Sequence, residues 1–389
     1  MFAYGIFKVI YAPFKTFKEI IHNPKYIGPV LIMILFIATN TGFAYILASK
    51  MYNEQTLPIG ATQKDEWTES SIWWVSNTVP SESNDSLSGG FYGDKSIEFS
   101  IDNDKQIWMQ LNFNESIVCS GARGFKNVSF RIKIIYPNTT ELLNATLYLF
   151  SNETDYFQHD LATASLPSSD VVWNNLNISL GHENDSEWIR NGDAEWSNIT
   201  SLKFEFMWSE NANLTVRVDG LFFRGVFKSI IDTVGASNYL LGVSLSAFMQ
   251  FTITWVFLGG LIFLISKALG AKLVWKAALI VIGFALITMF IQATINTVTA
   301  VTLPTLYRPL EFFGGAGEEG EIARNIIFEK IMLTSQVNEI VQIALLVWTV
   351  VLCVIAVRSL TEFSWDKSIL IAVVAYFVSM IAASFIISY

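Results

Sequence analysis

Five long apolar runs and one block of alternating apolar and polar residues account for most of this chain of 389 residues. The apolar runs cover residues 27–50, 239–266, 273–302, 335–357 and 368–389. A helix needs about 20 mostly apolar residues to cross the hydrocarbon core of a bilayer, and every run meets that length. The pattern predicts five transmembrane helices. The first is longer than the apolar region of a cleaved signal peptide, so we expect it to remain as an anchor.

A different pattern fills residues 51–224. Apolar side chains recur there at every second position in short stretches separated by Asn, Asp, Gly and Ser. These stretches are residues 97–101, 107–113, 128–134, 202–208 and 214–218. Such alternation, with turn residues at short intervals, is typical of antiparallel strands in a β-sandwich. We therefore predict an α-helical membrane bundle of five helices with an all-β sandwich domain inserted after the first helix.

Two short amphipathic segments flank these parts. Within residues 1–26, the stretch 13–22 places Phe14, Phe17, Ile20 and Ile21 on one helical face and begins with a proline, which suits a first helical turn. This pattern is typical of a helix lying on a membrane surface, although a helix packed on the bundle has the same pattern. Residues 225–238 have a similar pattern, so we expect a second interfacial helix there.

All Asn-x-Ser/Thr sequons of the chain lie in the predicted β domain. The acceptors are Asn84, Asn114, Asn127, Asn138, Asn144, Asn152, Asn177, Asn184, Asn198 and Asn213. Because such sequons are used on the exported face of a membrane, they predict a glycosylated extracellular domain. With five spans, the N-terminus is then cytoplasmic and the C-terminus extracellular.

Charge independently predicts the same orientation. The predicted inner segments are basic, with Lys8, Lys15, Lys18, Lys25, Lys267, Lys272, Lys276, Arg358 and Lys367. An excess of Lys and Arg marks cytoplasmic loops. The predicted outer loop at residues 303–334 is instead rich in glutamate. We predict a multi-pass protein of the cell membrane.

Composition limits the functional classes. Residues 51–224 hold 24 acidic against 11 basic residues, so the exported domain lacks the basic face that nucleic-acid binding needs. Cys119 lies in the β domain and Cys353 in an apolar run, so no disulfide between them is expected. His22, His159 and His182 are scattered without partners at metal-ligand or triad spacing. We predict no enzyme activity and no cofactor.

The membrane part resembles the Yip family of five-span proteins, best known for binding Rab GTPases in secretory membranes. The resemblance is carried by residues 12–29 (APFKTFKEIIHNPKYIGP), by residues 258–270 (LGGLIFLISKALG) and by the polar joint at residues 358–367. The third span lacks the Tyr-Gly motif of eukaryotic members, and the long insert departs from their compact form. These departures indicate a prokaryotic, archaeal type of relative, without an assigned GTPase partner.

The insert resembles jelly-roll domains of the galactose-binding or carbohydrate-binding-module type. The matching stretches are residues 93–100 (GDKSIEFS), 196–206 (WSNITSLKFEF) and 215–224 (TVRVDGLFFR). Ligand binding does not follow from a shared fold. Trp73, Trp74 and Trp188 lie in turn-rich stretches and are candidates for a glycan platform, with core packing as the alternative. Asp102 and Asp104 are weak calcium candidates, with a tight hairpin turn as the alternative.

Polar side chains also recur inside the predicted spans. They include Gln250, Thr288, Gln292, Asn296, Glu339 and Gln342, all on the predicted outer half of spans two to four. Polar groups inside a membrane are costly unless they pair or face water. They could form a hydrated pocket for a transporter or channel, or hydrogen bonds between helices with headgroup exposure.

The function that we predict is an integral membrane scaffold or anchor. Its exported sandwich would recognise glycan, envelope protein or a partner subunit, and its membrane part contacts the lipid bilayer, alone or as an oligomer. A transporter using the outer-leaflet polar groups is the alternative.

Overall fold

The computed structural model describes residues 2–58, 65–87, 89–137, 140–161, 166, 172–315 and 317–387, without the side chains of residues 2–5, 333, 383, 384, 386 and 387. The chain forms two compact units. The helix unit contains Met1–Met51, Ser229–Leu306 and Phe328–Tyr389. The sandwich unit contains Tyr52–Lys228 and Tyr307–Ile327, so a segment from beyond the third span is part of it.

Five helices in the described part of the chain are long and apolar enough to cross a membrane. They are α3 (Ile27–Lys50), α6 (Ala236–Ala268), α7 with α8 (Trp275–Ala285 and Ile287–Thr302), α10 (Glu318–Thr361) and α11 (Trp365–Ile387). In α10 the apolar part is Thr334–Thr361. Long apolar stretches without interior proline favour uninterrupted helices, because each helix satisfies its own backbone hydrogen bonds in lipid.

Glycines bring three of these helices into close contact. Pro29 of α3 and the Trp255 ring of α6 both lie against Gly283 of α7, where a Cβ atom would lie 2.6 Å from Pro29 Cβ and 2.7 Å from Trp255 Nε1. Trp255 Nε1 donates to the carbonyl of Leu279 at 2.7 Å. A Cβ on Gly28 would lie 1.9 Å from Phe284 Cζ. Small residues permit such close approach of helices in a membrane.

Two short helices precede the first span. They are α1 (Phe2–Tyr11), which we did not predict, and α2 (Pro13–His22). Lys8 Nζ contacts both carboxylate oxygens of Glu19 at 2.9 Å and so joins the two helices. Ile6 and Val9 of α1 and Phe17 of α2 are buried in the core of the helix unit. Both helices therefore pack on the bundle through one apolar face.

In the part of the chain that the structure describes, eleven strands build the sandwich. They are β1 (Met51–Leu57), β2 (Trp74–Ser76), β3 (Ser81–Ser83), β4 (Ser96–Ile117), β5 (Asn127–Tyr136), β6 (Leu142–Phe150), β7 (Tyr156–Asp160), β8 (Asn174–Ser179), β9 (Ile189–Asn191), β10 (Ile199–Ser229) and β11 (Leu306–Arg308). A short helix α4 (Glu66–Glu69) precedes β2, and α9 (Leu310–Gly314) follows β11.

The long strands β4 and β10 run through both layers. In the first layer β10 pairs antiparallel with the beginning of β4 and with β5, with Val216 opposite Phe99 and Val218 opposite Ile132. In the second layer it pairs with the end of β4 and with β6. Strands β3 and β8 extend the first layer, and β2, β7 and β9 extend the second.

The inward side chains of the two layers form an aromatic core. The Phe130 and Phe204 ring centroids are 4.7 Å apart, and those of Trp74 and Phe99 are 5.5 Å apart. Fully burying an apolar side chain of this size contributes about 1.5–3 kcal/mol to the free energy of unfolding. The burial of every second side chain along the strands therefore stabilises the sandwich without a disulfide. Both Cys119 and Cys353 are free and buried.

The expected hairpin at residues 102–104 is absent, because β4 continues through them opposite β10. Asn103 has a φ of 53°, in the left-handed region that asparagine tolerates better than most residues. The register of β10 shifts between Met207 and Ala212 at the same level. The turn-type residues thus mark a bulge at which both long strands bend.

The helix expected over residues 225–238 does not extend over that whole range. Strand β10 continues to Ser229, and a short helix α5 (Ile230–Val234) follows before Gly235. Ser229 ends the strand because its side chain caps α5, with Oγ accepting from Asp232 N at 3.1 Å. Apolar alternation in a strand and an apolar helical face are hard to distinguish over such a short stretch.

Candidate functional site

A polar cleft of about 390 Å³ opens on the sandwich unit. Strands β1, β5, β8 and β10 and the segment after β11 supply its walls. The lining residues are Glu54, Asn127, Arg131, Asn175, Asn177, Arg224, Gly225, Phe227, Pro309 and Glu311. The cleft thus combines amides, guanidinium groups and carboxylates with one aromatic ring.

Arg224 joins three segments of the chain at the base of this cleft. Its guanidinium donates to both carboxylate oxygens of Glu54 at 3.0 and 2.7 Å, and to both oxygens of Glu311 at 2.5 and 2.9 Å. Glu54 also accepts from the backbone N–H groups of Gly225 and Leu310. Bidentate pairs of this kind fix geometry as well as charge.

The ionisation of this cluster follows from its contacts. Burial alone would raise the pKa of Glu311, but the hydrogen bonds and charge of Arg224 outweigh burial, so the pKa lies below its usual value. Burial would lower the pKa of Arg224, and the two glutamates raise it instead. Arg224 and Glu311 are therefore charged at neutral pH and form a fixed ion pair.

A second guanidinium, that of Arg131, also lines the cleft. Arg131 Nη2 donates to Glu319 Oε2 at 2.7 Å, and the guanidinium carbon lies 4.6 Å from the centre of the Tyr92 ring. Asn175 donates to the other Glu319 oxygen at 3.2 Å. Burial raises the pKa of Tyr92 to about 12, so this phenol is neutral at neutral pH. With both arginines paired, the amides and Phe227 are the groups best placed to meet a polar, uncharged ligand.

Two of the predicted glycan acceptors line the cleft. Asn127 and Asn177 lie on the paired strands β5 and β8, Asn127 opposite Ser179 and Asn177 opposite Ser129. Asn177 is exposed, whereas Asn127 is half-buried. A glycan on Asn177 would therefore stand at the mouth of the cleft.

The other acceptors are spread over the sandwich. Six of them have exposed side chains: Asn84, Asn114, Asn144, Asn152, Asn198 and Asn213. Asn184 is half-buried and donates to the carbonyl of Leu180 at 3.1 Å, and Asn138 lies outside the described residues. Seven acceptors, including Asn177, are thus open to solvent.

The tryptophans expected to form a glycan platform do not share an exposed surface. Trp74 and Trp188 are 4% and 6% exposed and belong to the sandwich core, and Trp73 is partly buried against it. Trp74 Nε1 donates to the carbonyl of Trp67, and Trp188 Nε1 to that of Ser179. Their rings are covered by protein, so Trp74 and Trp188 cannot stack on a sugar.

One of the two weak calcium candidates already accepts hydrogen bonds from the protein. Asp104 Oδ1 accepts from the backbone N–H groups of Lys105 and Gln106, and Asp102 is exposed on the bulge. In the part of the chain that the structure describes, no group of three or more His, Cys, Asp or Glu side chains is arranged to hold a metal ion.

A buried pair of carboxyl groups was missed by sequence reasoning. Asp65, before α4, and Asp219, in β10, are both 0% exposed. Asp65 Oδ2 accepts from Thr68 Oγ1 at 2.5 Å and from Gly220 N at 2.8 Å. Asp219 accepts from Gly220 N at 2.8 Å and from Leu87 N at 2.7 Å.

Proximity changes the ionisation of this pair. Burial, followed by the negative charge of Asp65, raises the pKa of Asp219 to about 9, and burial raises the pKa of Asp65. The two groups therefore hold one proton between them at neutral pH. Only the three-dimensional fold reveals this pair, since its members are separated by most of the domain.

The polar residues predicted inside the spans differ in their exposure. Gln250, Glu339 and Gln342 are exposed on the outside of the helix unit, whereas Gln292 and Asn296 are half-buried. Thr288 is 2% exposed.

Thr288 and three polar residues outside the predicted set form hydrogen bonds between α8 and α10. Thr349 Oγ1 donates to Thr288 Oγ1 at 2.7 Å, and Thr299 Oγ1 donates to Asn338 Oδ1 at 3.1 Å. Thr41 of α3 and Ser244 of α6 share a further hydrogen bond at 2.9 Å. These pairs satisfy hydroxyl and amide groups between helices, as is common in membrane bundles.

Comparison with known proteins finds a family match for the C-terminal part of the chain. Residues 212–387 match the family model described as the Yip1 domain. No curated protein matches the chain. Together with the five apolar helices, the family match identifies a multi-pass membrane protein.

Solved structures resemble the sandwich only loosely. A family 11 carbohydrate-binding module from Clostridium thermocellum, solved with a β-1,3-1,4-mixed-linked tetrasaccharide, is 16% identical with a TM-score of 0.27, and the match covers 43% of this chain and 94% of the module. An exo-β-agarase is 10% identical with a TM-score of 0.31, covering 41% of this chain and 24% of the agarase. At such scores the likeness says nothing about what the sandwich binds.

Proposed function

We propose that this chain, whose residues 212–387 belong to the Yip1 domain family, is a non-enzymatic membrane scaffold that displays a glycosylated β-sandwich outside an archaeal type of cell. In this proposal residues 1–26 are cytoplasmic and residues 51–224 extracellular. Residues 225–238 lie at the outer interface. The spans are residues 27–50, 239–266, 273–302, 335–357 and 368–389, which place the C-terminus outside.

The observation that carries this proposal is the surface of the inserted segment. Its exposed sequon asparagines support export, because the acceptors must meet the glycosylation machinery beyond the membrane. Its polar cleft supports recognition, because converging amides and one ring suit a ligand rich in hydroxyl groups.

We propose an oligosaccharide of the cell envelope as the ligand of this cleft. Sugars offer hydroxyl groups to amide side chains and apolar ring faces to aromatic ones. Asn175 and Phe227 would make these two contacts. The alternative occupant is a protein subunit of the envelope, which the same experiment distinguishes.

The experiment uses full-length protein in nanodiscs and an array of immobilised neutral and acidic oligosaccharides. Binding should occur to a subset of the sugars. Asn175→Ala should weaken it by about tenfold, as expected for the loss of a hydrogen bond of about 1–1.5 kcal/mol. Asn191→Ala, an exposed amide on β9, is the matched control and should leave binding unchanged.

Lack of binding to every sugar, or equal losses in the two variants, would contradict glycan recognition by this cleft. We do not propose transport, because Gln250, Glu339 and Gln342 lie on the outside of the helix unit rather than around a shared path.

A further inference from the structure

One end of the helix unit carries a collar of lysines. This end contains α2, the connection from α6 to α7 and the connection from α10 to α11, because neighbouring spans run in opposite directions. Its exposed lysines are Lys15, Lys18, Lys25, Lys267, Lys272, Lys276 and Lys367. The exposed acids at this end are Glu19, which pairs with Lys8, and Glu362 and Asp366. The end is therefore strongly positive.

The opposite end of the same unit has no such excess. Its charged residues in the described part of the chain are Lys50, Asp232, Glu329, Lys330 and Glu339. Lys50 is already engaged, since its Nζ lies 2.6 Å from the carbonyl oxygens of Val301 and Leu303 near the end of α8. The positive charge is thus confined to one end.

Exposed aromatic side chains lie among the lysines of the collar. They are Tyr11, Phe14, Tyr26, Trp275 and Trp365, each at least 40% exposed. Tyrosine and tryptophan are enriched at the level of lipid headgroups, where their rings have both apolar and polar surroundings. This end of the unit therefore lies at a membrane interface.

Ring contacts hold several cations in place. Arg358 lies over Trp365 at 4.5 Å, Lys267 over Phe263 at 5.4 Å, and Lys367 over Phe363 at 5.7 Å, each measured to the ring centre. Phe14 of α2 contacts the Trp365 ring edge-on, with centroids 5.7 Å apart, so α2 lies beside the last span. The cationic groups themselves thus lie over aromatic rings at this end of the unit.

We infer that this lysine–aromatic collar binds the phosphate headgroups of anionic lipids in the facing leaflet. The charge on the collar complements an anionic surface, which attracts clustered lysines beside a membrane span. Its rings fix the depth of the lysines at the phosphate level. Helix α2 adds Lys15 and Lys18 to the collar, because both are exposed while Phe17 is buried against the bundle.

The test is native mass spectrometry of full-length protein loaded with equal amounts of phosphatidylglycerol and phosphatidylcholine that have the same acyl chains. Clustered lysines should enrich the anionic lipid by about threefold or more among the retained lipids. The triple variant Lys267→Gln, Lys272→Gln, Lys276→Gln should bring the ratio close to the loading ratio. A control with the same charge change is Lys105→Gln, Arg123→Gln, Lys330→Gln, whose positions are exposed elsewhere, and it should keep the enrichment.

Equal retention of the two lipids by the wild-type protein would overturn the inference, as would an equal loss in the control triple. An unchanged melting temperature of both triples shows that they are folded. A final arm adds excess inorganic phosphate at constant ionic strength. Undiminished lipid enrichment supports a lipid site, and displacement of the lipid would assign the site to soluble phosphate and refute the lipid assignment.

Discussion

At the scale of single residues, the sandwich depends on two charged clusters that its sequence does not reveal. Arg224 is held by Glu54, whose side chain is 4% exposed, and by Glu311. Asp65 and Asp219 share a fully buried site. In both clusters the members come from distant segments, so the fold, rather than a local motif, brings them together.

Removing Arg224 should strongly destabilise the sandwich. Arg224→Met leaves two carboxylates buried without a counter-charge. Removing one partner of a buried ion pair lowers the free energy of unfolding by about 3–5 kcal/mol. The thermal unfolding of purified protein, followed by tryptophan fluorescence, measures this loss. Arg190→Met, an exposed arginine on β9, should have little effect. Similar losses in the two variants would mean that the cluster does not hold the fold together.

Asp219 should make the stability of the sandwich fall as pH rises. Burial and the negative charge of Asp65 raise its pKa to about 9 in the folded protein, from an ordinary value of 3.8, so the folded state binds the proton more tightly than the unfolded state. The contribution is therefore fully present below about pH 4 and is lost as pH rises towards about 9.

The variant Asp219→Asn keeps a neutral side chain at all pH values, so its unfolding free energy should vary less over that window. Asp102→Asn, at an exposed aspartate, should retain the wild-type slope. Urea unfolding at a series of pH values gives both slopes. A wild-type slope in Asp219→Asn would show that the proton is bound elsewhere.

The tryptophans show what a sequence can and cannot predict at this scale. Trp196 and Trp208 lie in alternating or core-like stretches and are buried, as their patterns indicate. Trp74 lies in a turn-rich stretch, and its inward orientation follows only from the pairing of β2 with β4, where it faces Leu111. Non-local strand pairing is not readable from local composition, and the glycan platform was misplaced for that reason.

At the scale of elements, the tight approach of α3, α6 and α7 depends on glycines. Gly28→Ala would place a Cβ within 1.9 Å of the Phe284 ring, whereas a Cβ on Gly42 in the same helix meets nothing within 4 Å. Overpacking costs about 1–3 kcal/mol, so Gly28→Ala should lower the melting temperature. Gly42→Ala should be neutral or raise it, because alanine favours helix over glycine. Equal melting temperatures would show that α3 and α7 are not closely packed.

The hydrogen bond between α8 and α10 gives a further prediction. Thr349→Val removes the donor to the buried Thr288 hydroxyl and should destabilise the helix unit by about 0.6–1.7 kcal/mol, the range of such bonds between membrane helices. Glu339→Gln should have no effect on stability, since Glu339 is exposed on the outside of the unit. Unfolding in mixed detergent measures the free energy of unfolding of both variants. A larger loss in Glu339→Gln than in Thr349→Val would contradict this prediction and indicate a structural role for Glu339.

The sequence predicted long elements better than junctions. Hydrophobic length alone indicated the five long helices, because burial in lipid requires an apolar run of fixed length. It did not indicate the bulge at Asn103, where a turn-type residue serves a bend in a continuous strand. Nor did it indicate that β10 extends to Ser229, because apolar residues there fit a strand or a helix equally well.

At the scale of the whole molecule, two compact units share one chain. Most of the sandwich unit, Tyr52–Lys228, lies between the first and second spans, and its second segment, Tyr307–Ile327, follows the third span. Because its segments are joined to membrane spans, the direction of these spans decides on which side of the membrane the sandwich lies. Its orientation determines which surfaces meet the outside, and both the proposed recognition by the cleft and the proposed glycosylation of the sequons depend on it.

Labelling of single introduced cysteines on intact cells tests that orientation most directly. Cys119 and Cys353 are buried, so a membrane-impermeant maleimide should label the native protein only weakly. Asp193→Cys, on the exposed surface of the sandwich, should be labelled in intact cells, and Lys272→Cys, in the lysine collar, only after the membrane is opened. Labelling of Lys272→Cys in intact cells together with protection of Asp193→Cys would contradict an exported sandwich.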